Sequence, residues 1–374
     1  MNRSSHEKTS PYDGQNPEIQ DYIRYFKTYS LISHQRSMLE DHKRTGAYYR
    51  AMLENKQQFK DKVVLDVGTG SGILAMFAAR AGAKKVYAVE ATSMAQNARA
   101  LVRANNLQDI VTVIQGTIET VELPEKVDII VSEWMGYLLL RESMLDSVLV
   151  ARDRYLKPGG ALYPSHARMY WAPIQATKAS EHVEEYHKIM EHWEWFATDM
   201  KKLYGIDMTA LTDAYDREQE FIQLSYGDWA DVRPGQLLGK PIVSKTLDLH
   251  TVTLEELKAG FSGEGATALD RANPIDAICS WFDVSFRGSS ANPCATQVDL
   301  STAPDDTGAT HWGQTVFYLN PPLEPKAGDK LHLGFAIHRR EDYERLLRVQ
   351  LSTQLLAADQ TAVQAPKLRE YLLD

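Results

Sequence analysis

The stretch Val63-Val64-Leu65-Asp66-Val67-Gly68-Thr69-Gly70-Ser71-Gly72 constrains the fold more than any other: an apolar run opens into a glycine turn, and a helical pattern follows from Ile73 to Arg80. A buried strand turning through glycines into a helix is the opening unit of a doubly wound α/β sheet, since glycine tolerates φ > 0 and lets the backbone approach a ligand closely. The spacing is G-x-G-x-G, with Ile73 where the third glycine of a dinucleotide loop would fall. Asp66, two residues before the first glycine, repels a pyrophosphate and suits a ligand with an amino-acid end. Further strands are expected at 85–89, 111–115 and 127–131, leading to Glu90, Glu119 and Glu133 at or just beyond their carboxyl ends. The crevice at those ends is where an open parallel sheet binds its ligand, and an acid about twenty residues past the glycines is placed for ribose hydroxyls.

Glu133 is followed nine residues later by Glu142, around the bend Trp134-Met135-Gly136-Tyr137. Two carboxylates folded onto one point raise each other's pKa unless a cation lies between them. A guanidinium, with delocalised charge and two edges of donors, fits that position. Near the N-terminus, Tyr25 and Tyr29 in Tyr25-Phe26-Lys27-Thr28-Tyr29 are four apart and share one face of a helix. Alone, such a pair more often serves core packing than a ligand cover.

Together these motifs resemble those of the protein arginine N-methyltransferases, and within them the plant branch of the type I enzymes, from about Asp21 to the C-terminus. The resemblance implies a class I S-adenosylmethionine-dependent methyltransferase fold, with a doubly wound, mostly parallel sheet, followed by an antiparallel β-barrel with an inserted helical dimerisation arm. It implies transfer of methyl groups from S-adenosylmethionine to arginine, giving mono- and asymmetric dimethylarginine. Cofactor contacts are implied at Phe26, Tyr29, Gln35, Met38, Arg44, Asp66, Gly68, Gly70, Glu90, Glu119 and Met144, and substrate contacts at Tyr25, Met135 and Trp312. Arg44 would hold the cofactor's carboxylate, a task suited to a bidentate guanidinium. Glu133 and Glu142 would be catalytic, and His311 beside Asp41 would either relay a proton or shape the substrate groove. Met38, in place of the phenylalanine that marks the symmetric type, leaves room with Met135 for a second methyl. The sequence departs from the family at Gln35-Arg36-Ser37-Met38-Leu39, where many members carry histidine three residues before the Met-Leu pair. Gln35 can hydrogen-bond but cannot titrate.

Composition agrees with a soluble enzyme. The 374 residues are 44% hydrophobic and 24% charged, enough for two domains with sizeable cores. Cys279 and Cys294 are too few for a disulfide framework and lack metal-ligand spacing. No run approaches a membrane span, no secretory signal opens the chain, and no metal site is expected. The net charge of −9 lacks the basic footprint of nucleic-acid binding and suits basic peptides such as histone tails or glycine-arginine-rich segments. The resemblance implies residence in nucleus and cytoplasm.

The expected organisation is a disordered 1–20, lid helices over 21–60, a cofactor domain over 61–163 and a barrel over 164–374, with the boundary near Tyr163-Pro164. After Lys157-Pro158-Gly159-Gly160 the pattern becomes short β runs. The arm is placed at about 179–211, where Tyr186, Ile189, Trp193, Trp195, Phe196 and Met200 are too many apolar residues for a solvated face. A small-molecule N-methyltransferase would share the glycine loop and Glu90 but has no use for paired glutamates with Thr310-His311-Trp312. A non-catalytic module predicts damage to Glu133, Glu142 or Asp66, which are all present. A nicotinamide oxidoreductase is disfavoured by the glycine spacing.

Overall fold

The strand β1 (Val63–Val67) is buried at every position, Asp66 included, because strands flank it on both sides and helices cover its faces. The computed structural model describes residues 22–176 and 181–373, so the expected disorder of 1–20 and the start of the arm at 179 lie outside the described residues. Around β1 the strands β2 (Lys85–Glu90), β3 (Val111–Gln115), β4 (Val127–Val131) and β5 (Leu156–Tyr163) form a parallel sheet in the order β3-β2-β1-β4-β5. Chain direction reverses its lateral progress between β1 and β4, which leaves a crevice at their carboxyl ends. The helix Ile73–Arg80 follows the glycine turn, with Leu74 through Ala79 buried against the sheet. The fifth strand was not legible in the sequence. It carries Pro158 and two glycines, a composition tolerated because β5 is an edge strand whose pairing with β4 shifts register between Val127 and Ile129.

The rest of the chain forms antiparallel strands β6 (His166–Ile174), β7 (Asp228–Ala230), β8 (Ile242–Asp248), β9 (Phe261–Ala268), β10 (Ile275–Gly288), β11 (Pro293–Ser301), β12 (Gln314–Leu323), β13 (Lys330–Arg339), β14 (Leu347–Leu356) and β15 (Lys367–Leu373). One sheet runs β7-β12-β10-β6-β8, with β11 on β10, and the other runs β15-β14-β13-β9. Bridges at Tyr226↔Leu372 and Gly239↔Leu269 join the two sheets at both margins and close them into a barrel. Burial alternates residue by residue along β13 and β14, the signature of one face turned to a core. Trp171 fills that core, with ring centroids 5.7 Å from both Phe317 and Phe335.

The arm leaves the barrel between β6 and β7 as two helices, Glu181–Tyr204 and Thr212–Leu224. It therefore extends past the expected end at 211. The second helix was hidden because its charged face, Asp213, Asp216, Arg217, Glu218 and Glu220, reads as a solvated linker. Trp193 holds the pair together by stacking on Tyr215 at 4.2 Å and donating from Nε1 to Thr212 Oγ1 at 3.0 Å.

Barrel and parallel sheet share one continuous apolar core. Tyr48 packs edge-on against Phe286 at 4.9 Å, and Asn55 exchanges two hydrogen bonds with the backbone of Thr296. Arg339, at the end of β13, forms a bidentate pair with Asp146 at 2.7 and 2.6 Å, with side chains only 14% and 22% exposed. Asp146 lies in the first turn of the helix Met144–Tyr155, where a carboxylate also favours the helix dipole. Arg339→Ala leaves that carboxylate largely buried and unpaired, and we expect it to lower the unfolding free energy in urea by about 2–3 kcal/mol. A change near zero would class the pair with exposed ion pairs, which contribute little.

Candidate active site

At the carboxyl ends of the parallel strands the chain encloses a cavity of about 680 Å³. Its wall holds Gly68, Gly70, Glu90, Glu119, Glu133, Met135, Glu142 and Met144. Tyr25, Phe26, Tyr29, Gln35, Met38 and Arg44 complete it from the N-terminal helices. Tyr25 and Phe26 belong to a single π-helical turn, Tyr22–Phe26, continued by the short turn Lys27–Tyr29.

The floor is backbone. Gly68 and Gly70 have φ of +71° and +54°, and a Cβ on them would come within 2.6 Å of Met144 Cε and Gln35 Oε1 respectively. Neither conformation nor space admits another residue at Gly70 without moving Gln35. Gln35 uses its amide as a strut: Oε1 accepts from Ser71 N–H at 3.2 Å and Nε2 donates to the Tyr29 carbonyl at 3.2 Å. Gln35 thus ties the glycine loop to the aromatic turn. Glu90 accepts from Gly70 N–H at 2.9 Å with one oxygen and from Thr92 N–H and Oγ1 with the other. Glu119 accepts from Ser147 Oγ at 2.7 Å.

Asp66 does not reach the cavity wall. It is fully buried behind the glycines, accepting from Thr69 Oγ1 at 2.5 Å and Ala75 N–H at 3.0 Å, so it staples the loop to the start of the helix. Burial pushes its carboxyl up to about 7 against those two bonds, and its Oδ1 has no partner.

Glu133 already has a cation beside it, and it is the protein's own. Arg44 donates from Nε and Nη2 to Glu133 Oε2 at 2.9 and 2.5 Å, and from Nη1 to the Met38 carbonyl at 2.9 Å. The guanidinium expected to hold a cofactor carboxylate is therefore engaged with Glu133. Burial pulls it down, but the charge and hydrogen bonds of Glu133 outweigh this, with help from Tyr48 and Asp41, so its pKa is raised. Glu133 Oε1 is buried with no partner. Glu142 accepts from Tyr29 Oη at 2.5 Å on Oε2 and from Arg141 Nη1 at 3.2 Å on Oε1. Burial pushes the Glu142 carboxyl up, with Tyr29 and Arg141 opposing and Glu133 adding to the rise.

His311 and Asp41 meet outside this wall. Asp41 Oδ2 lies 2.7 Å from His311 Nδ1 and accepts the His311 N–H at 2.9 Å, while Oδ1 caps the helix His42–Leu53 through Arg44 N–H at 3.0 Å. Burial alone would raise the Asp41 carboxyl, but its bonds to His311 and to the Arg44 backbone bring it down to about 2. Trp312, expected in the substrate cleft, is instead buried: Nε1 donates to the Met135 carbonyl at 2.9 Å and the ring packs edge-on against Phe282 at 5.3 Å. The indole is large and apolar with one donor, and the core satisfies both requirements.

Three residues of this region were missed in the sequence. Arg345 lines the cavity from the loop between β13 and β14, Ser147 contacts Glu119, and Tyr48 donates to the Ser132 carbonyl at 2.9 Å beneath the glutamate bend. None carries a local motif, because each reaches the site only through tertiary packing.

A family model described as "Arginine methyltransferase oligomerization subdomain" matches residues 165–357, and one described as "Ribosomal protein L11 methyltransferase (PrmA)" matches residues 41–203. The chain is 47% identical over 352 residues to protein arginine N-methyltransferase PRMT10 of Oryza sativa subsp. japonica, covering 94% of this chain and 93% of the relative. It belongs to the protein arginine N-methyltransferase family. Another member, PRMT10 of Arabidopsis thaliana, is 46% identical over 90% of this chain and 88% of its own. A crystal structure of Arabidopsis thaliana protein arginine methyltransferase 10, described as a uniquely open conformation, superposes with a TM-score of 0.86 at 44% identity, covering 94% of this chain and 100% of that one. The Trypanosoma brucei PRMT1 enzyme-prozyme heterotetrameric complex with AdoHcy superposes with a TM-score of 0.76 at 34% identity, covering 93% and 100%. Membership sets the reaction class as methyl transfer to protein arginine.

Asp41 makes a pH signature. Its folded pKa of about 2 lies below the unfolded value of about 3.9, so its contribution to stability is complete above pH ~4 and disappears as pH falls toward 2. Asp41→Ala also loses a helix cap, and at neutral pH we expect it to cost at least about 1 kcal/mol in urea titrations. The variant's stability should then be flatter with pH between 4 and 2 than the wild type's, and an unchanged acid limb would contradict the assignment.

Proposed function

We propose that this family member is a type I enzyme, converting protein arginine to monomethyl and then asymmetric dimethylarginine with S-adenosylmethionine as donor. The observation that carries this reading is the convergence of Glu133 and Glu142 on one cavity wall, with Glu133 Oε1 buried and unpaired. The residues present fit the donor. Gly68 and Gly70 leave no room for a side chain, and Glu90 follows the loop at the ribose spacing with its carboxylate on the cavity wall. The Trypanosoma brucei relative carries AdoHcy, the product form, and we extend that ligand class to this cavity.

When bound, S-adenosylmethionine supplies an electrophilic methyl group on a sulfonium sulfur. The remaining work belongs to the protein. An arginine side chain is protonated at any physiological pH, with pKa above about 12, so its nitrogens are poor nucleophiles. Glu133 Oε1 and Glu142 Oε2 hold two edges of the guanidinium and draw positive charge toward one nitrogen, which leaves the other better able to attack. Their negative charge also offsets repulsion between two cations, and their fixed positions supply alignment. Tyr29 must release Glu142 Oε2 for the substrate to take its place. Met38 and Met135 line the cavity with slim side chains that leave room for a second methyl. In this reading His311, held by Asp41 Oδ2 at 2.7 Å, relays the released proton.

The substrates of this reading are basic segments such as histone tails and glycine-arginine-rich stretches, drawn by the charge of −9. Its partner is a second copy of the chain, joined through the arm. Trp195, Leu203 and Tyr204 are exposed there, while Ile32 and Tyr49 are exposed on the N-terminal helices and Leu101 on a helix of the cofactor domain. Nuclear and cytoplasmic residence belongs to the same proposal.

Fragmentation mass spectrometry on a histone H4 tail peptide and a glycine-arginine-rich peptide tests the reading. Wild type should yield asymmetric dimethylarginine, and Glu142→Gln should retain less than about a tenth of the activity while binding S-adenosylhomocysteine within about threefold. Activity above that tenth would count against the paired carboxylates. Symmetric product would overturn the role given to Met38.

A further inference from the structure

The loop that carries Glu142 is held in an uncommon conformation. Leu138, Leu139, Glu142 and Ser143 all have positive φ, at 49°, 62°, 81° and 56°. Such left-handed backbone is unfavourable for residues with a side chain and persists only when the surroundings over-determine it. The surroundings here are supplied by the barrel. Glu142 N–H donates to the Arg345 carbonyl at 2.7 Å, Arg345 Nη1 donates back to the Glu142 carbonyl at 2.5 Å, and Ser143 Oγ donates to the Glu344 carbonyl at 2.8 Å.

The same guanidinium meets the aromatic turn. Arg345 Cζ lies 4.0 Å from the ring centroid of Tyr25 and 5.6 Å from that of Phe26, within the range of cation–π attraction. Tyr25 in turn packs against Tyr29 at 4.8 Å, and Tyr29 donates to the Glu142 carboxylate. The contacts form a closed ring: Arg345 to the Glu142 backbone, Glu142 carboxylate to Tyr29, Tyr29 to Tyr25, and Tyr25 back to Arg345.

We propose that Arg345 is a positioning residue that makes closure of the aromatic turn over the cavity and placement of Glu142 a single event. It acts through Glu142 and the rings, and it needs a planar group able to lie on an aromatic face while donating in the plane, which arginine provides and lysine provides only in part. The catalytic consequence rests on the methyltransferase reading above; the coupling of turn to loop does not.

The test uses the full chain with Arg345→Ala and Arg345→Lys. It measures kcat and KM for methylation of the glycine-arginine-rich peptide, thermal unfolding, and amide hydrogen exchange of residues 22–29 with and without S-adenosylhomocysteine. Arg345→Ala should lower kcat by ~10- to 100-fold with peptide KM within ~2-fold, since small misplacements of a catalytic group act at this scale. Ligand-induced protection of residues 22–29 should disappear in the same variant while its melting temperature stays near that of wild type. Arg345→Lys, which keeps a cation over the rings, should recover part of both the rate and the protection.

A kcat within ~2-fold of wild type in Arg345→Ala overturns the catalytic consequence, and wild-type protection of 22–29 in that variant overturns the coupling. A loss of rate that tracks a loss of melting temperature and is not eased by lysine also overturns it, because that is the behaviour of a merely structural residue. If Arg345→Ala fails to fold, Arg345→Lys decides alone: intermediate rate and protection support the proposal, and wild-type values of both sink it. If wild type methylates no arginine, the reaction assigned above fails, and the exchange data still decide whether Arg345 couples the turn to the loop.

Discussion

The buried pair of Arg44 with Glu133 is the interaction on which the site depends. An ionised carboxylate in that position needs a counter-charge, and removing one partner of a buried ion pair typically costs about 3–5 kcal/mol. Arg44 supplies the charge and links three parts of the chain at once. Its side chain reaches Glu133 at the end of β4 and the Met38 carbonyl in the preceding helix, and its backbone N–H donates to the capping carboxylate of Asp41. Asp41 then fixes His311 in the barrel. Cofactor domain, N-terminal helices and barrel are therefore joined through one guanidinium and two acids.

This arrangement divides the work of the two glutamates. Glu133 has one oxygen neutralised by Arg44 and the other left without a donor. Glu142 sits on a strained loop and has its oxygens engaged by Tyr29 and Arg141, groups that approach from mobile-length side chains and not from backbone. A guest with donors on two edges completes the first and competes for the second. The asymmetry gives a physical reason for a guanidinium to enter in one orientation, with the pinned acid as anchor and the exchangeable acid as partner.

Much of this was legible in the sequence where chemistry and chain order coincide. The glycine turn, Glu90 and the strand leading to Glu133 are local signals, and the structure lines the cavity with Gly68, Gly70, Glu90 and Glu133 as a parallel sheet requires. The pairing of His311 with Asp41 was expected from resemblance alone, since the two are far apart in the chain. The sequence was silent where tertiary packing decides. Nothing local shows that Arg44 faces Glu133 in place of a ligand, that Asp66 turns away behind the loop, or that Trp312 finds its hydrogen-bond partner in the core. Arg345 is one of several arginines near the β13 to β14 loop, and only the fold brings it over Tyr25. The second helix of the arm was obscured by its run of charges, although Tyr215 packs against Trp193 and Asp216 accepts from the Tyr186 hydroxyl within the helix pair.

The most direct measurement is a crystal structure of the wild-type chain with S-adenosylhomocysteine and an arginine-containing peptide. The account predicts the substrate guanidinium between Glu133 Oε1 and Glu142 Oε2, with the Tyr29 hydroxyl moved off Glu142 and the Arg44 pair to Glu133 Oε2 intact. A guanidinium bound elsewhere, with Tyr29 still donating to Glu142, would contradict it.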